Sequence, residues 1–500
     1  MILKNLILKH RMLFGSVIFV ILTWFIFNFK LTEVPPGING DEASIGYNAI
    51  LLSRTLHDEN GRFLPLFVLT LDGKDWKQPV TMYSTALAFR LFGPAYSLLR
   101  QVSIFYVLIS AGLLFFLIKK ILSVKLAVFG TLIFLATPAV VIQSHLALEN
   151  IAPIPFVIFW LLMIWKYTQE RKSKFLLWAG ISLGISFYSY NGMRLIMPVL
   201  SGLTLIYLLY LNNFSRQKSF PALKFFILGI LPFLIILPQV RSLYPGAIFG
   251  NNRPVTISSY QQFLLPYLSF FDPSFLFITG DSTPYHSTGK HGVYLLATLP
   301  LFLIGCIKAI QRKQPILILI LASFLLAPIL FGIVGSPIHR GSRLIALVPF
   351  YVIIATLGFS VIFEMNNKYF KRIILFFISI FFIVNCFDFM RIYWFEYPGQ
   401  VREYFSPPLH LAFEKLSEKS QQIQLTPFIE EGLYKEQNVA AKFFEQVYFP
   451  DKLQKGNLKM DFPQNGIMLL RSADAETLEK KGLVKSDVGV ELYNLITKYK

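Results

Sequence analysis

Long apolar runs alternate with short polar loops over the first 390 residues of the chain. A run of about 17–25 apolar residues is long enough to cross a bilayer as a helix. Such runs occur at about 12–30, 99–118, 125–142, 151–167, 175–190, 193–211, 222–240, 293–310, 315–334, 344–363 and 372–390. The pattern therefore predicts an all-α polytopic membrane protein with about 11 transmembrane helices.

Basic residues concentrate in every second loop between these runs. They are Lys4, Lys9 and Arg11; Lys119, Lys120 and Lys125; Lys166, Arg171, Lys172 and Lys174; Arg216, Lys218 and Lys224; Lys308, Arg312 and Lys313; and Lys368, Lys371 and Arg372. Cytoplasmic loops carry an excess of Lys and Arg, which sets the orientation of the spans. We therefore predict a multi-pass protein of the cell (inner) membrane with a cytoplasmic N-terminus and an extracytoplasmic C-terminus.

Two long loops, 31–98 and 241–292, are predicted to lie outside. The first of them has the more distinctive pattern of apolar residues. Residues 42–57 and 80–92 have helical apolar spacing but are too short to span, which predicts interfacial helices. Residues 72–79 between them read as a polar turn. Prolines and glycines at 35–40 stop the first span, so Asp41 is predicted to cap a new helix over 43–52.

The composition changes after residue 390, and the remaining chain is rich in Lys and Glu. Amphipathic stretches near 409–421 and 437–447 predict helices, and apolar runs at 466–471 and 489–496 predict strands. We therefore expect a transmembrane domain at 1–390 and a small soluble, extracytoplasmic α/β domain at 391–500.

Composition and charge narrow the class of protein further. With 54% hydrophobic and 15% charged residues, the chain is far from a soluble domain. The net charge of +19 lies mainly in the short loops, so it indicates membrane topology and no nucleic-acid partner. The two cysteines, Cys306 and Cys386, lie inside apolar runs and predict neither disulfides nor a thiol nucleophile.

Ionisable residues near membrane level collect on the predicted outer face. They are Asp41, Glu42, His145, Glu149, Arg194, His339, Arg340 and Arg343. Such residues are costly at this depth and often line a substrate path, although any single one is also explained by a cap or an ion pair. Two carboxylates, Asp41 and Glu149, could supply a general base and an electrostatic partner. The arginines could bind a phosphate through their planar guanidinium groups.

Several short motifs together resemble the GT-C class of membrane glycosyltransferases. They are Asn39-Gly40-Asp41-Glu42, Asp75-Trp76-Lys77-Gln78-Pro79, Ala147-Leu148-Glu149-Asn150, Gly289-Lys290-His291-Gly292 and the segment from Pro337 to Arg343. The chain is most similar to the bacterial relatives of protein O-mannosyltransferases and of the aminoarabinose (lipid A) transferase. The resemblance extends to about residue 390.

The resemblance implies a GT-C-like fold and a sugar transfer at the outer face. The donor would be a polyprenyl-phosphate-linked sugar, and the acceptor an envelope lipid, glycan or protein. Asp41 would be the base and Glu149 the second carboxylate. The donor would be bound by Glu42, Lys77, His145, Arg194, His339, Arg340 and Arg343.

Cofactor and function alternatives stay open at this stage. No metal ligand is assigned, and His286, His291 and His339 are read as loop histidines, with a divalent metal kept as an alternative. A lipid-linked sugar transporter or flippase and an envelope glycan polymerase or ligase are the alternative functions. Transporters usually have inverted repeats and broken helices, which the sequence does not indicate.

Overall fold

The structure is a computed structural model that describes residues 18–248, 257, 259–334, 337–405, 409–450, 452–457, 465–479, 484–490 and 492–497. The start of the predicted first span at 12–30 lies outside these residues, as do Lys4, Lys9 and Arg11. The chain forms two compact units. The first comprises Met1–Phe29, Gln78–Val80 and Ser103–Tyr393, and the second comprises Lys30–Lys77, Thr81–Val102 and Trp394–Lys500.

The first unit is built from helices. They are α1 (Ile18–Asn28), most of α4 (Tyr96–Ile121), α5 (Val124–Ala136), α6 (Pro138–Ser144), α7 (Pro153–Glu170), α8 (Lys174–Phe187), α9 (Met193–Leu211), α10 (Arg216–Ile235), α11 (Leu237–Leu243), α12 (Tyr260–Ser269), α13 (Leu299–Arg312), α14 (Pro315–Leu326), α15 (Val348–Glu364) and α16 (Lys368–Arg391). Prolines at Pro138, Pro153 and Pro315 occupy first-turn positions, where the missing N–H costs nothing.

Close helix crossings in this unit depend on glycine. A Cβ atom at Gly305 of α13 would collide with the backbone of α15, and one at Gly358 of α15 would collide with the backbone of α13. Gly180 and Gly229 have the same relation between α8 and α10. Small residues let membrane helices approach closely, because lipid supplies no hydrophobic driving force for their association.

The membrane class predicted from the sequence is confirmed. Within the described ranges, seven helices are long and apolar enough to cross a membrane: Tyr96–Ile121, Glu149–Glu170, Met193–Leu211, Arg216–Leu243, Pro315–Gly332, Ile345–Glu364 and Lys368–Gln400. The pair α5 and α6, bent by 59° at Thr137, would be an eighth. The predicted runs at 175–190 and 293–310 overlap α8 and α13, each of 14 residues, so a total of eleven spans stays a prediction.

The second unit contains the predicted interfacial segments as helix α2 (Gly40–Thr55) and all but the first two residues of helix α3 (Pro79–Phe92). Two details of the prediction are wrong. Asn39, not Asp41, caps α2, because its side chain accepts the Glu42 N–H while the Glu42 carboxylate accepts the Asn39 N–H. The supposed polar turn at 72–79 contains a strand, since β1 (Val68–Thr70) pairs antiparallel with β2 (Asp75–Lys77).

The same unit ends in an α/β arrangement, as predicted. Its helices are α17 (Tyr397–Gln400), α18 (Leu409–Gln422), α19 (Glu431–Tyr448) and α20 (Ser472–Glu479), and its strands are β3 (Thr426–Glu430), β4 (Gln454–Gly456), β5 (Gly466–Arg471), β6 (Val484–Val490) and β7 (Tyr493–Thr497). The sheet order is β4-β3-β5-β7-β6. The single strand predicted at 489–496 is wrong, because two antiparallel strands, β6 and β7, meet there.

The orientation predicted from the basic loops can be tested directly. A reporter enzyme fused after Lys500 should be active only in an extracytoplasmic assay, because every second loop is basic. The same reporter fused in the basic loop between Lys166 and Lys174 serves as the control and should be active only in a cytoplasmic assay. Cytoplasmic activity of the C-terminal fusion would contradict the orientation.

Candidate active site

A buried cation between two carboxylates is the main feature of the segment 31–98, the first of the loops predicted to lie outside. The Lys77 Nζ atom lies 2.5 Å from Asp41 Oδ1 and 2.6 Å from Asp75 Oδ2. The Lys77 side chain is 5% exposed, whereas those of Asp41 and Asp75 are 44% and 50% exposed. The hairpin β1–β2 positions Lys77 and Asp75, and the first turn of α2 positions Asp41. The arrangement therefore presents carboxylate oxygens to solvent above an ammonium group.

A second ion pair, between Glu42 and Arg100, is fully buried. Arg100 Nε and Nη2 donate to the two oxygens of Glu42 over 2.9 and 3.1 Å. The same guanidinium donates to the carbonyls of Leu31, Pro35 and Gly37. A bidentate pair of this kind fixes geometry as well as charge. Arg100 thus ties the start of α4 to the proline- and glycine-containing segment that precedes Asp41.

In the first unit, Glu149 and Arg194 are joined through Gln78. The backbone N–H of Gln78 donates to Glu149 Oε1, and Arg194 Nη2 donates to Gln78 Oε1 over 2.5 Å. Arg194 Nη1 also donates to Asn191 Oδ1 and to the Ile248 carbonyl, both over 2.6 Å. The guanidinium is nearly buried, so these bonds fix its direction. Glu149 and Arg194 therefore act on one backbone segment, at the start of α3.

The Arg340–Arg343 turn is held by a buried aspartate. Asp281 accepts the Ser342 N–H over 3.0 Å and the Thr283 N–H over 2.7 Å. Burial raises the pKa of the neighbouring Tyr190 to about 12, and the charge of Arg343 opposes that shift. Burial also lowers the pKa of Arg343, whose guanidinium carbon lies 5.6 Å from the Phe331 ring centre. The guanidinium is thus partly removed from water beside a phenol that stays protonated at neutral pH.

The three remaining predicted residues lie in different surroundings. His145 is buried at the C-terminal end of α6, and its ring centre lies 5.5 Å from that of Tyr393. His339 Nε2 lies 2.9 Å from Asp272 Oδ2, and its ring stacks on Phe275. Arg340 is half-buried next to His339. The predicted residues therefore form several clusters within the units.

The side chains do not fit the divalent-metal alternative. Over the described part of the chain, no group of three or more His, Cys, Asp or Glu residues could hold a metal ion. The carboxylates of Asp41 and Asp75 share the ammonium of Lys77, which already supplies a positive charge at the position between them. A ring nitrogen of each of the three histidines contacts a polar side chain: His286 contacts Gln143, His291 contacts Asp388 and His339 contacts Asp272.

Several residues of these clusters were not predicted to be site residues. Asp75 and Gln78 belong to the motif Asp75-Trp76-Lys77-Gln78-Pro79, so their closeness to Lys77 in the sequence could have indicated them as site residues. Arg100 is a charge at the start of an apolar run, and an arginine there is rare enough to be noticed. Asp281 has no comparable signal, because one aspartate in a polar loop is common.

Comparisons with known proteins agree with the resemblance found in the sequence. The family model of dolichyl-phosphate-mannose-protein mannosyltransferase matches residues 77–240. No curated protein sequence matches the chain. The crystal structure of ArnT from Cupriavidus metallidurans in the apo state matches at 12% identity with a TM-score of 0.54, covering 96% of this chain and 97% of that one.

Two further solved structures are similar. ArnT from Cupriavidus metallidurans bound to undecaprenyl phosphate matches at 11% identity and a TM-score of 0.54, covering 96% of this chain and 98% of that one. The oligosaccharyltransferase AglB from Archaeoglobus fulgidus, in complex with an inhibitory peptide and a dolichol-phosphate, matches at 12% identity and a TM-score of 0.49. The match covers 89% of this chain and 61% of that one. The family match and the ArnT fold confirm the likeness to GT-C membrane glycosyltransferases.

Proposed function

We propose that the protein transfers a sugar from a polyprenyl-phosphate-linked donor to an envelope acceptor at the outer face of the membrane. The ArnT fold and the family match over residues 77–240 support this reaction class. The observation on which the proposal depends is the half-exposed Asp41 carboxylate beside the buried ammonium of Lys77. The acceptor class, whether lipid, glycan or protein, is left open.

The reaction needs a base and a group that stabilises the leaving phosphate. A carboxylate that accepts a proton from the acceptor hydroxyl must be reachable by that hydroxyl, and Asp41 is 44% exposed. The bond between the sugar carbon and the donor phosphate oxygen breaks, and a bond to the acceptor oxygen forms. The released phosphate carries negative charge, and the candidates to stabilise it are Lys77 in the second unit or the guanidinium groups of Arg194, Arg340 and Arg343 in the first.

Three of the predicted residues would act by positioning other groups: Glu42, Glu149 and His145. Glu42 shapes the first outer loop through Arg100, because its carboxylate is fully buried and bonded. Glu149 positions the Gln78 backbone through the bond to its N–H. His145 is buried against Tyr393 at the end of α6, so it would act on the donor mainly by holding this helix end in place.

A lipid-linked sugar transporter is the second candidate, and one observation favours it. The bend of 59° between α5 and α6 breaks a span, and broken helices line the sites of many transporters. The break has a local cause, because Pro138 lacks the N–H that a continuous helix would need. The carboxylates of the first outer loop would have no catalytic use in a transporter or flippase. A glycan polymerase or ligase would likewise not require Asp41 at this position.

The proposal is tested by identifying the lipid that copurifies with the protein. Mass spectrometry of the extracted protein should find a polyprenyl phosphate or its sugar conjugate, and the purified protein should release polyprenyl phosphate when an acceptor is added. Protein that is denatured to release its bound lipid, and is then repurified and extracted in the same way, gives the background level of lipid. Movement of an intact lipid-linked sugar across a vesicle membrane without cleavage would instead support the transporter.

Arg343 should contribute mainly to binding of the donor. Replacing it with Ala removes a partly buried guanidinium, so we expect about tenfold weaker donor-lipid binding and a smaller change in transfer from bound donor. Arg340→Ala should have a similar, smaller effect. Arg216→Ala, which removes an exposed arginine at the start of α10, is the control. Unchanged donor affinity in both the Arg343 and the Arg340 variants would remove the two residues from the proposed site.

A further inference from the structure

A cavity of about 320 Å³ lies in the first unit among residues 121–126, the end of α13 at Arg312 and the end of α15. It is lined by apolar side chains and by Ser123, Lys125, Arg312, Ser360, Phe363 and Glu364. Its volume is within the range of small-molecule sites in proteins. Lys125 and Arg312, which line it, belong to two of the basic loops predicted to be cytoplasmic. None of the candidate active-site residues contributes to it.

The charges of this cavity are predominantly positive. The charged residues that line it are Lys125, Arg312 and Glu364, and Glu364 is bonded to Arg312 and, outside the lining, to Lys308 over 2.7 Å. Lys125 is exposed and makes no hydrogen bond to any other described residue. The excess of positive charge therefore resides on a side chain that can reorient toward a ligand.

The backbone adds to the same field. Helix α5 begins at Val124, and the Ser123 side chain accepts the Leu126 N–H. The free N–H groups of the first turn give this end of the helix a partial positive charge, which favours anions. Leu122, Leu126 and Phe363 supply apolar wall on the same cavity. A ligand with an anionic group and an attached apolar chain could bind the positive end of the helix and the apolar side chains at the same time.

We propose that this cavity binds the phosphate head group of an anionic membrane phospholipid. Basic pockets between transmembrane helices on the cytoplasmic side are suited to such head groups, because the lipid chains stay in the bilayer while the phosphate meets Lys and Arg. Lys125, Arg312 and the first turn of α5 would contact the phosphate. The apolar side chains would contact the upper part of the acyl chains. This inference does not depend on the proposed sugar transfer.

Binding of a fluorescent phosphatidylglycerol to the full-length protein in detergent micelles tests the proposal. Lys125→Gln should weaken binding about fivefold, the loss expected for one basic residue at a lipid surface. Lys313→Gln is the matched control, because Lys313 is an exposed lysine at the end of α13, next to Arg312, and does not line the cavity. Glu364→Gln should strengthen binding, since Glu364 supplies the one carboxylate among the described residues that line the cavity.

The opposite signs expected for Lys125→Gln and Glu364→Gln separate ligand binding from a loss of folding. Unlabelled phosphatidylglycerol should displace the probe, whereas phosphatidylcholine should not. Equal affinity of the Lys125 variant and the wild type would overturn the proposal. Displacement by phosphatidylcholine, or by millimolar inorganic phosphate as well as by lipid, would also overturn it. Sugar-transfer activity is not read in this assay, so its outcome is distinguishable from failure of the proposed function.

Discussion

Asp41→Asn should lower the rate of sugar transfer by about 10²–10⁴-fold, the usual contribution of a general base. The change removes the proton acceptor but keeps the size of the side chain. Helix α2 should persist, because Asn39 and Glu42 form its capping box without Asp41. The cost in stability has two parts: about 0.3–1 kcal/mol for a first-turn carboxylate that interacts with the helix dipole, and the loss of one of the two negative charges beside Lys77. Transfer from a saturating donor and thermal unfolding of the purified protein measure the two effects.

Asp75→Asn is the matched control for this variant. Lys77 bonds both aspartates, so each substitution removes one carboxylate from the same ammonium and leaves the other. If Asp41 only compensates the charge of Lys77, the two variants should lose similar activity. If Asp41 is the base, Asp41→Asn should be the more damaging by at least tenfold, and Glu149→Gln should be milder. A wild-type rate in the Asp41 variant would show that the carboxylate is not needed for transfer.

The membrane helices were predictable because their signal is long and repeated. The run predicted at 193–211 has the same limits as α9, and the run at 315–334 lies within two residues of the helical segment Pro315–Gly332. The count of spans was harder to predict. Hydropathy does not distinguish a full span from a 14-residue helix such as α8, because the apolar run at 175–190 continues past the end of that helix at Phe187.

Site residues could be nominated from the sequence, but their partners could not. Asp41 and Lys77 were both proposed, yet the 2.5 Å contact between them follows from the pairing of β1 with β2, which places Lys77 opposite Val68. The sequence indicated only a polar turn there, because three-residue strands are too short to show a period of two. Asn39 was overlooked as the cap for a similar reason, since Asn39 and Asp41 are both good caps and only the position of Glu42 separates them.

Glu42 illustrates how the same residue type can serve the fold. Its carboxylate is buried, and the Arg100 guanidinium that it faces also donates to three backbone carbonyls before α2. The Tyr96 hydroxyl donates to one of these, the Gly37 carbonyl, over 2.6 Å. A sequence cannot distinguish this structural carboxylate from the half-exposed Asp41 beside it, because the difference depends on which way each side chain faces across the helix.

Glu42→Gln should lower the free energy of unfolding by about 3–5 kcal/mol, since breaking a buried ion pair leaves a charge without compensation. The uncharged amide would leave the fully buried Arg100 guanidinium without its counter-charge. Transfer should fall as well, because the segment that Arg100 fixes leads directly into the turn that holds Asp41. Denaturant or thermal unfolding in detergent micelles gives the stability change, and transfer at low temperature gives the activity of the folded fraction.

Glu33→Gln provides the control for this effect. Glu33 is paired with Lys30 at 4.0 Å, but its side chain is 67% exposed, so the pair should contribute little. Replacing both Arg100 and Glu42 with apolar residues should recover part of the stability that Glu42→Gln loses, because no charge is then buried. The carbonyls of Leu31, Pro35 and Gly37 would still lose their donor, so the recovery should be incomplete. A Glu42 variant as stable as the Glu33 variant would mean that the Arg100 charge is compensated by the carbonyls alone, and that Glu42 is available for another role.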